Sequence, residues 1–174
     1  MFPTDGSRDW TVKVDVNYNS AGVTAGQTMY YQFSAMYNGS IYTSPLGSFR
    51  AINAANTMSQ LNYAVVSCSN YHFGLYNVYD MMAKIDNLDF WSHVGDNIYE
   101  YAEGVFPSDS AKLRTTVADP PNEIVSLDDY RRRHRETRSD RSYQLLSSRV
   151  PLITISDDHD YVRFMSRPSA IARV

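Results

Sequence analysis

The chain has 174 residues, 43% hydrophobic and 20% charged, the composition of a globular protein with apolar material for one ordinary domain or two small ones. Its 16 lysines and arginines stand against 19 aspartates and glutamates, a net charge of −3 that argues against sequence-blind nucleic-acid binding. No apolar run approaches the roughly 20 residues a membrane-spanning helix needs, and the single cysteine, Cys68, excludes an intrachain disulfide framework.

The first residues, Met1-Phe2-Pro3-Thr4-Asp5-Gly6, have neither a basic nor an apolar stretch of signal-peptide type. From Trp10 to about Phe49 the apolar residues follow a period of two: Val12, Val14 and Val16 alternate with polar neighbours, and Tyr31, Phe33, Ala35 and Tyr37 do the same. Half-buried antiparallel strands are expected there, separated by the turn-rich run from Ala21 to Gly26. Asn38-Gly39 is the strongest hairpin signal in the chain, because both residues tolerate positive φ. Asn38-Gly39-Ser40 also fits the glycosylation pattern, but the turn explains it without secretion. Residues 1–60 therefore read as a small all-β sandwich segment of immunoglobulin or fibronectin type.

The pattern changes after the polar stretch from Asn53 to Gln60. Residues 61–67 form an apolar run ending in Ala64-Val65-Val66, and from residue 75 Leu75, Val78, Tyr79 and Met82 recur at helical spacing. A second apolar run spans Leu88 to Val94. A long loop with Pro107, Pro120 and Pro121 leads to Ser126-Leu127-Asp128-Asp129, a capping box that opens an Arg-rich helix. Leu152-Ile153-Thr154-Ile155 is the third apolar run. Strand, helix, strand, loop, helix, strand predicts an α/β unit over residues 61–174, with a parallel sheet built from right-handed crossovers.

In such sheets the carboxyl ends of the strands open onto the ligand crevice. Each predicted strand runs directly into polar residues: Ser67-Cys68-Ser69-Asn70-Tyr71, then Gly95-Asp96-Asn97-Ile98-Tyr99-Glu100, then Asp157-Asp158-His159-Asp160. Cys68, Asp96, Tyr99 and Asp158 are thus expected at one edge. Carboxylates suit hard cations such as Ca²⁺ or Mg²⁺, and thiolate with phenolate favours a transition metal such as iron. Singly, each residue has a plainer reading: a small buried cysteine, a turn aspartate, a packing tyrosine. The acidic run after the third strand is harder to explain without solvent or a cation. Arg131, Arg132, Arg133, Arg135, Arg138 and Arg141 are interleaved with Asp128, Asp129, Glu136 and Asp140, so they read as a solvated helix face laced with ion pairs. His93 falls inside a strand as a core residue or a neighbour of the site, and His72 and His134 carry no signal.

The four stretches 67–71, 89–101, 127–134 and 157–160 resemble, in order and spacing, the PhoD-like phosphatases, and the β-rich start resembles that family's N-terminal domain around Tyr30-Tyr31-Gln32-Phe33 and Gly47-Ser48-Phe49-Arg50. The resemblance implies a metal-dependent alkaline phosphatase that hydrolyses phosphomonoesters or phosphodiesters through a metal-bound hydroxide. It implies iron held by Cys68, Asp96 and Tyr99, with calcium close by, Asp96 bridging the two and Asp158 as a further ligand. It places His159 beside the phosphate as the catalytic residue, stabilising charge or moving a proton. Family members are typically extracytoplasmic or secreted. They continue well beyond the equivalent of Val174 with further ligands, so a partial catalytic domain is expected; the alternative is a non-catalytic remnant that binds metal or a partner. Asn97 and Ser156 stand where the family usually has Tyr and Trp, which is expected to loosen the packing around the ligands.

Overall fold

The computed structural model describes residues 2–17, 22–51, 57, 60–108 and 114–161. The polar boundary from Asn53 to Gln60 and the start of the turn at Ala21 fall largely or wholly outside them. The N-terminal segment holds β1 (Thr28–Tyr31), β2 (Ser34–Tyr37), β3 (Ser40–Thr43) and β4 (Gly47–Arg50). They form two antiparallel ribbons, β1 with β4 and β2 with β3. Asn38 and Gly39 turn the β2–β3 hairpin with φ of 49° and 75°, the left-handed pair that a two-residue turn of this twist demands.

Two expectations fail in this segment. The alternation across Val12, Val14 and Val16 produces no strand, and Val12 and Val16 stay exposed. Alternation marks an apolar face, but a strand also needs a neighbour for its N–H and C=O groups. The single strand read from Tyr31 to Tyr37 is broken at Gln32-Phe33, where the Phe33 N–H donates to Ser44 Oγ at 3.0 Å and the chain changes partner. Every residue of β2 and β3 is exposed, so a sandwich with its own buried interior is not seen among the described residues. The β1–β4 ribbon instead leans on the rest of the chain. Ser48 Oγ donates to the Arg149 carbonyl at 3.3 Å, and Arg50 pairs with Asp89.

From residue 60 onward the expected order appears. β5 (Tyr63–Val66), β6 (Phe90–Val94) and β7 (Leu152–Ile155) form a parallel sheet in that order, and α1 (Asn77–Met82) follows β5. The Arg-rich helix is two helices. α2 (Leu127–Arg138) opens on the Ser126 capping box with Asp129, and α3 (Arg141–Arg149) restarts on Asp140, whose carboxylate accepts from the Ser142 and Tyr143 N–H groups. One sheet face is closed by α1 and α3 around Trp91 and Leu146, both fully buried, with Tyr79, Met82 and Tyr143 packed against them. The opposite face leaves Tyr63, Val65, Ile153 and Ile155 more than half exposed. No helix among the described residues is long and apolar enough to cross a membrane.

This one-sided core makes Leu146 critical, since no second layer backs it among the described residues. Leu146→Ala is expected to cost about 3 kcal/mol, read as a lowered midpoint in urea with an unchanged slope; a loss below a quarter of that would mean the α1–α3 layer is not the main core.

Candidate metal centre

Parallel pairing sends all three strands toward the same edge, and the residues that follow them meet there. The chain leaves β5 and is bonded straight to the turn after β6: the Cys68 N–H donates to the Gly95 carbonyl and the Ser69 N–H to the Asp96 carbonyl, both at 3.1 Å. Cys68 and Asp96 adopt left-handed backbone, with φ of 56° and 57°. Neither is glycine, so each conformation costs on the order of 1 kcal/mol and persists only because its surroundings dictate it. Gly95 between β6 and Asp96 has φ of 113° and lies so close to the β7 turn that an added Cβ would stand 2.3 Å from that of Asp157. Only glycine fits there.

The turn after β7 is locked by one side chain that the sequence did not single out. Asp160, buried, accepts from the N–H groups of Asp96, Asn97 and Ile98 at 2.8, 2.9 and 3.2 Å, and from Asp157 N–H at 3.0 Å. Asp157 caps the same turn through Asp158 N–H. Of the acidic run, Asp158 is left with an exposed carboxylate turned toward the site. Asn97 donates to Thr154 Oγ1 and to the Ile155 carbonyl at 3.2 and 3.3 Å. The residue that departs from the family pattern therefore ties β7 down rather than loosening it.

These constraints bring the expected residues together. Cys68 Sγ lies 3.4 Å from Asp96 Oδ2, and both groups lie close enough to the Tyr99 phenol to perturb it. Ligand atoms of Asp96, Asp158 and His159 all fall within 4.8 Å of one another. The His159 ring packs on Tyr99 with centroids 4.6 Å apart, and His159 Nδ1 is 2.8 Å from Glu100 Oε2, a buried carboxylate that sequence reasoning passed over. His93 is core: it is buried, bonded to Ser69 Oγ, and its pKa is lowered by that burial.

The donor set fits a cation. Burial raises the Tyr99 phenol well above its ordinary pKa, and the neighbouring Asp96 and Cys68 raise it further. A phenol raised in this way is set against ionising, and a bound metal ion would reverse that by favouring the anion. Burial alone would lower the pKa of His159, but the hydrogen bond and charge of Glu100, with Asp96 and Asp158, outweigh it and leave the imidazole above its usual value. An open cleft lined by Ser69, Phe73, Leu75, Tyr99 and Phe106 adjoins Cys68.

Two residues read as uninformative or solvated are buried beside this centre. Arg133 is 3% exposed, unlike its neighbours Arg132 and Arg135, which pair with Asp119 and Asp9 at the surface. His72 Nε2 meets Glu136 Oε2 at 3.1 Å. An interleaved charge pattern gives no sign of which arginine turns inward.

Residues 63–162 match the PhoD-like phosphatase family. Alkaline phosphatase D of Bacillus subtilis (strain 168) is 32% identical over 146 residues, covering 83% of this chain and 24% of that protein. The solved structure of PhoD superposes with a TM-score of 0.68 at 33% identity, over 77% of this chain and 24% of that one. The chain thus spans 24% of the length of the curated relative it matches. With the matched region covering the parallel sheet, both strand-end turns and the Asp158-His159 pair, the chain belongs to the PhoD-like phosphatase family.

Proposed function

We propose that this chain carries part of the metal centre of an alkaline phosphatase acting on phosphomonoesters or phosphodiesters. Cys68, Asp96 and Tyr99 would hold iron, with calcium close by, and Asp158 would contribute a further carboxylate. The observation that carries the reading is the contact of Cys68 Sγ with Asp96 Oδ2 at 3.4 Å, with the Tyr99 ring packed on His159 beside them and two non-glycine residues held at positive φ. When bound, the ions supply Lewis-acid polarisation of the phosphoryl group and activation of water.

The chain's own residues have distinct parts in this reading. Asp160 fixes the backbone that aims Asp96, and Gly95 allows the β7 turn to close on it. Glu100 holds His159 by Nδ1, so the opposite edge of the ring is directed away from Glu100. A protonated His159 there donates a hydrogen bond to developing negative charge or gives its proton to the leaving oxygen. Residues 1–60 serve as the N-terminal β segment and 61–174 as the first part of the catalytic domain, the division at which the β ribbons give way to the parallel sheet.

The metal identity has a direct optical test. Protein loaded with iron and calcium should develop a visible phenolate-to-iron band, and Tyr99→Phe should abolish it with the far-ultraviolet dichroism unchanged, because only a hydroxyl is lost. Uptake of zinc alone, with no colour under oxidising conditions, would sink the iron assignment.

The backbone N–H groups gathered by Asp160 predict a different signature. Asp160→Asn leaves a neutral acceptor for the Asp96, Asn97 and Ile98 N–H groups, and iron affinity should fall by about 10- to 100-fold. An unchanged dissociation constant in a folded variant would show that Asp160 does not set the site.

Catalytic completeness is tested by assaying this chain beside a form extended to its relative's length, on a chromogenic phosphodiester with iron and calcium. Turnover by the 174-residue chain is expected to be at least about a hundredfold lower, since residues that act as a unit lose most of their effect together. Equal turnover would mean that the site is complete here. Metal uptake without turnover in either form would favour a binding remnant over an enzyme.

A further inference from the structure

The Cys68 turn and the Tyr99 turn leave different strands, yet both must hold their donors to within fractions of an ångström for one ion. Asp160 fixes the Asp96 end of the second turn. Its Tyr99 end, and the far end of the Cys68 turn at His72, are anchored elsewhere.

Both ends meet one stripe of α2. Arg133 Nη1 donates to the carbonyls of Tyr99 and Tyr101, and Nη2 donates to that of Pro120 at 2.7 Å. One turn along, Glu136 accepts at Oε2 from His72 Nε2 at 3.1 Å and lies 3.5 Å from Arg133 Nε. The side chains of all three are less than a tenth exposed. A guanidinium out of water on backbone carbonyls requires a nearby anion, and Glu136 supplies it. The same carboxylate then reaches the turn that carries Cys68. The pair is therefore a bridge with one foot in each turn, its geometry fixed by the rigid i, i+3 spacing of a helix.

We infer that Arg133 and Glu136 are positioning residues that hold the Cys68 turn and the Tyr99 turn in register with each other through α2. The inference rests on the metal reading for what the two turns grasp, but the bracing itself is a property of the protein without metal. Lysine cannot replace Arg133: an ammonium offers a point charge, not a planar fork able to serve four carbonyls at once. Glutamine at 136 keeps the size but leaves Arg133 buried without its counter-charge.

Hydrogen exchange on the metal-free chain is the primary test, comparing wild type with Arg133→Lys, Glu136→Gln and, as control, the surface variant Arg135→Gln. Exchange over residues 68–72 and 96–101 should quicken together by about tenfold or more in the first two variants, with β5, β6 and β7 as protected as in wild type and the control unchanged. Acceleration of one turn alone, or equal acceleration everywhere, overturns the proposal. Should Arg133→Lys fail to fold, Glu136→Gln carries the same comparison.

The second arm titrates iron into the same proteins. A rise in the dissociation constant of about 10- to 100-fold, with the phenolate band weakened toward that of Tyr99→Phe, supports positioning. A lower melting temperature with affinity and band unaltered makes the pair merely stabilising and overturns it. If wild-type protein takes up no iron, the metal reading falls, and the exchange arm still decides whether α2 braces the two turns.

Discussion

The Asp160 carboxylate accepts four backbone N–H groups, three from the turn after β6 and one from its own turn after β7. Consecutive N–H groups pointing at one anion require the chain to curl, and left-handed Asp96 is part of that curl. The curl turns the Asp96 side chain toward Cys68 and frees its carbonyl for Ser69 N–H, which ties in the turn after β5. One buried carboxylate thus joins the ends of three strands. An unpaired buried N–H costs about 1–3 kcal/mol, so the arrangement resists piecemeal loosening.

Close approach is the second constraint. Asp160 can reach the β6 turn only if the β7 turn lies against Gly95, and a side chain at residue 95 would meet Asp157 at less than van der Waals distance. The backbone conformation and the lack of a Cβ act together. Once the turns are fixed, aromatic rings pack around the site: Tyr99 lies tilted between His159 and Phe106, and Tyr101 packs against both. Glu100, between the two tyrosines, is buried and holds the same His159 ring by Nδ1.

The parallel sheet and its strand ends were legible because their signals are local. Apolar runs of strand length, a capping box at Ser126 and polar residues immediately after each run are each decided within a few residues. Cys68, Asp96, Tyr99 and Asp158 converge as the strand ends imply. The N-terminal segment was less legible for a related reason. Alternation at Val12, Val14 and Val16 describes a face, whereas pairing depends on a partner elsewhere in the chain, and Asn38-Gly39 succeeded because a tight turn brings its own partner. Asp160 and Glu100 were missed because an acidic residue that satisfies backbone N–H groups or an imidazole looks, in sequence, like any solvated one.

Arg133 shows why polarity patterns mislead at an irregular site. Helix faces are read as inward when apolar, on the premise that they pack against apolar side chains. Arg133 and Thr137 lie four residues apart on the buried stripe of α2, yet the surface that Arg133 meets is the backbone of the turn from Tyr99 to Tyr101 and of Asp119-Pro120. Carbonyls in an irregular turn have no ladder partner, and an apolar helix face would leave them unsatisfied. A guanidinium satisfies several at once, and it is tolerated because Glu136 travels with it one turn along. Where a fold must bend its backbone to gather ligands, the helix that backs the bend has to be polar on its buried side. The same demand that makes the site makes its support look like surface.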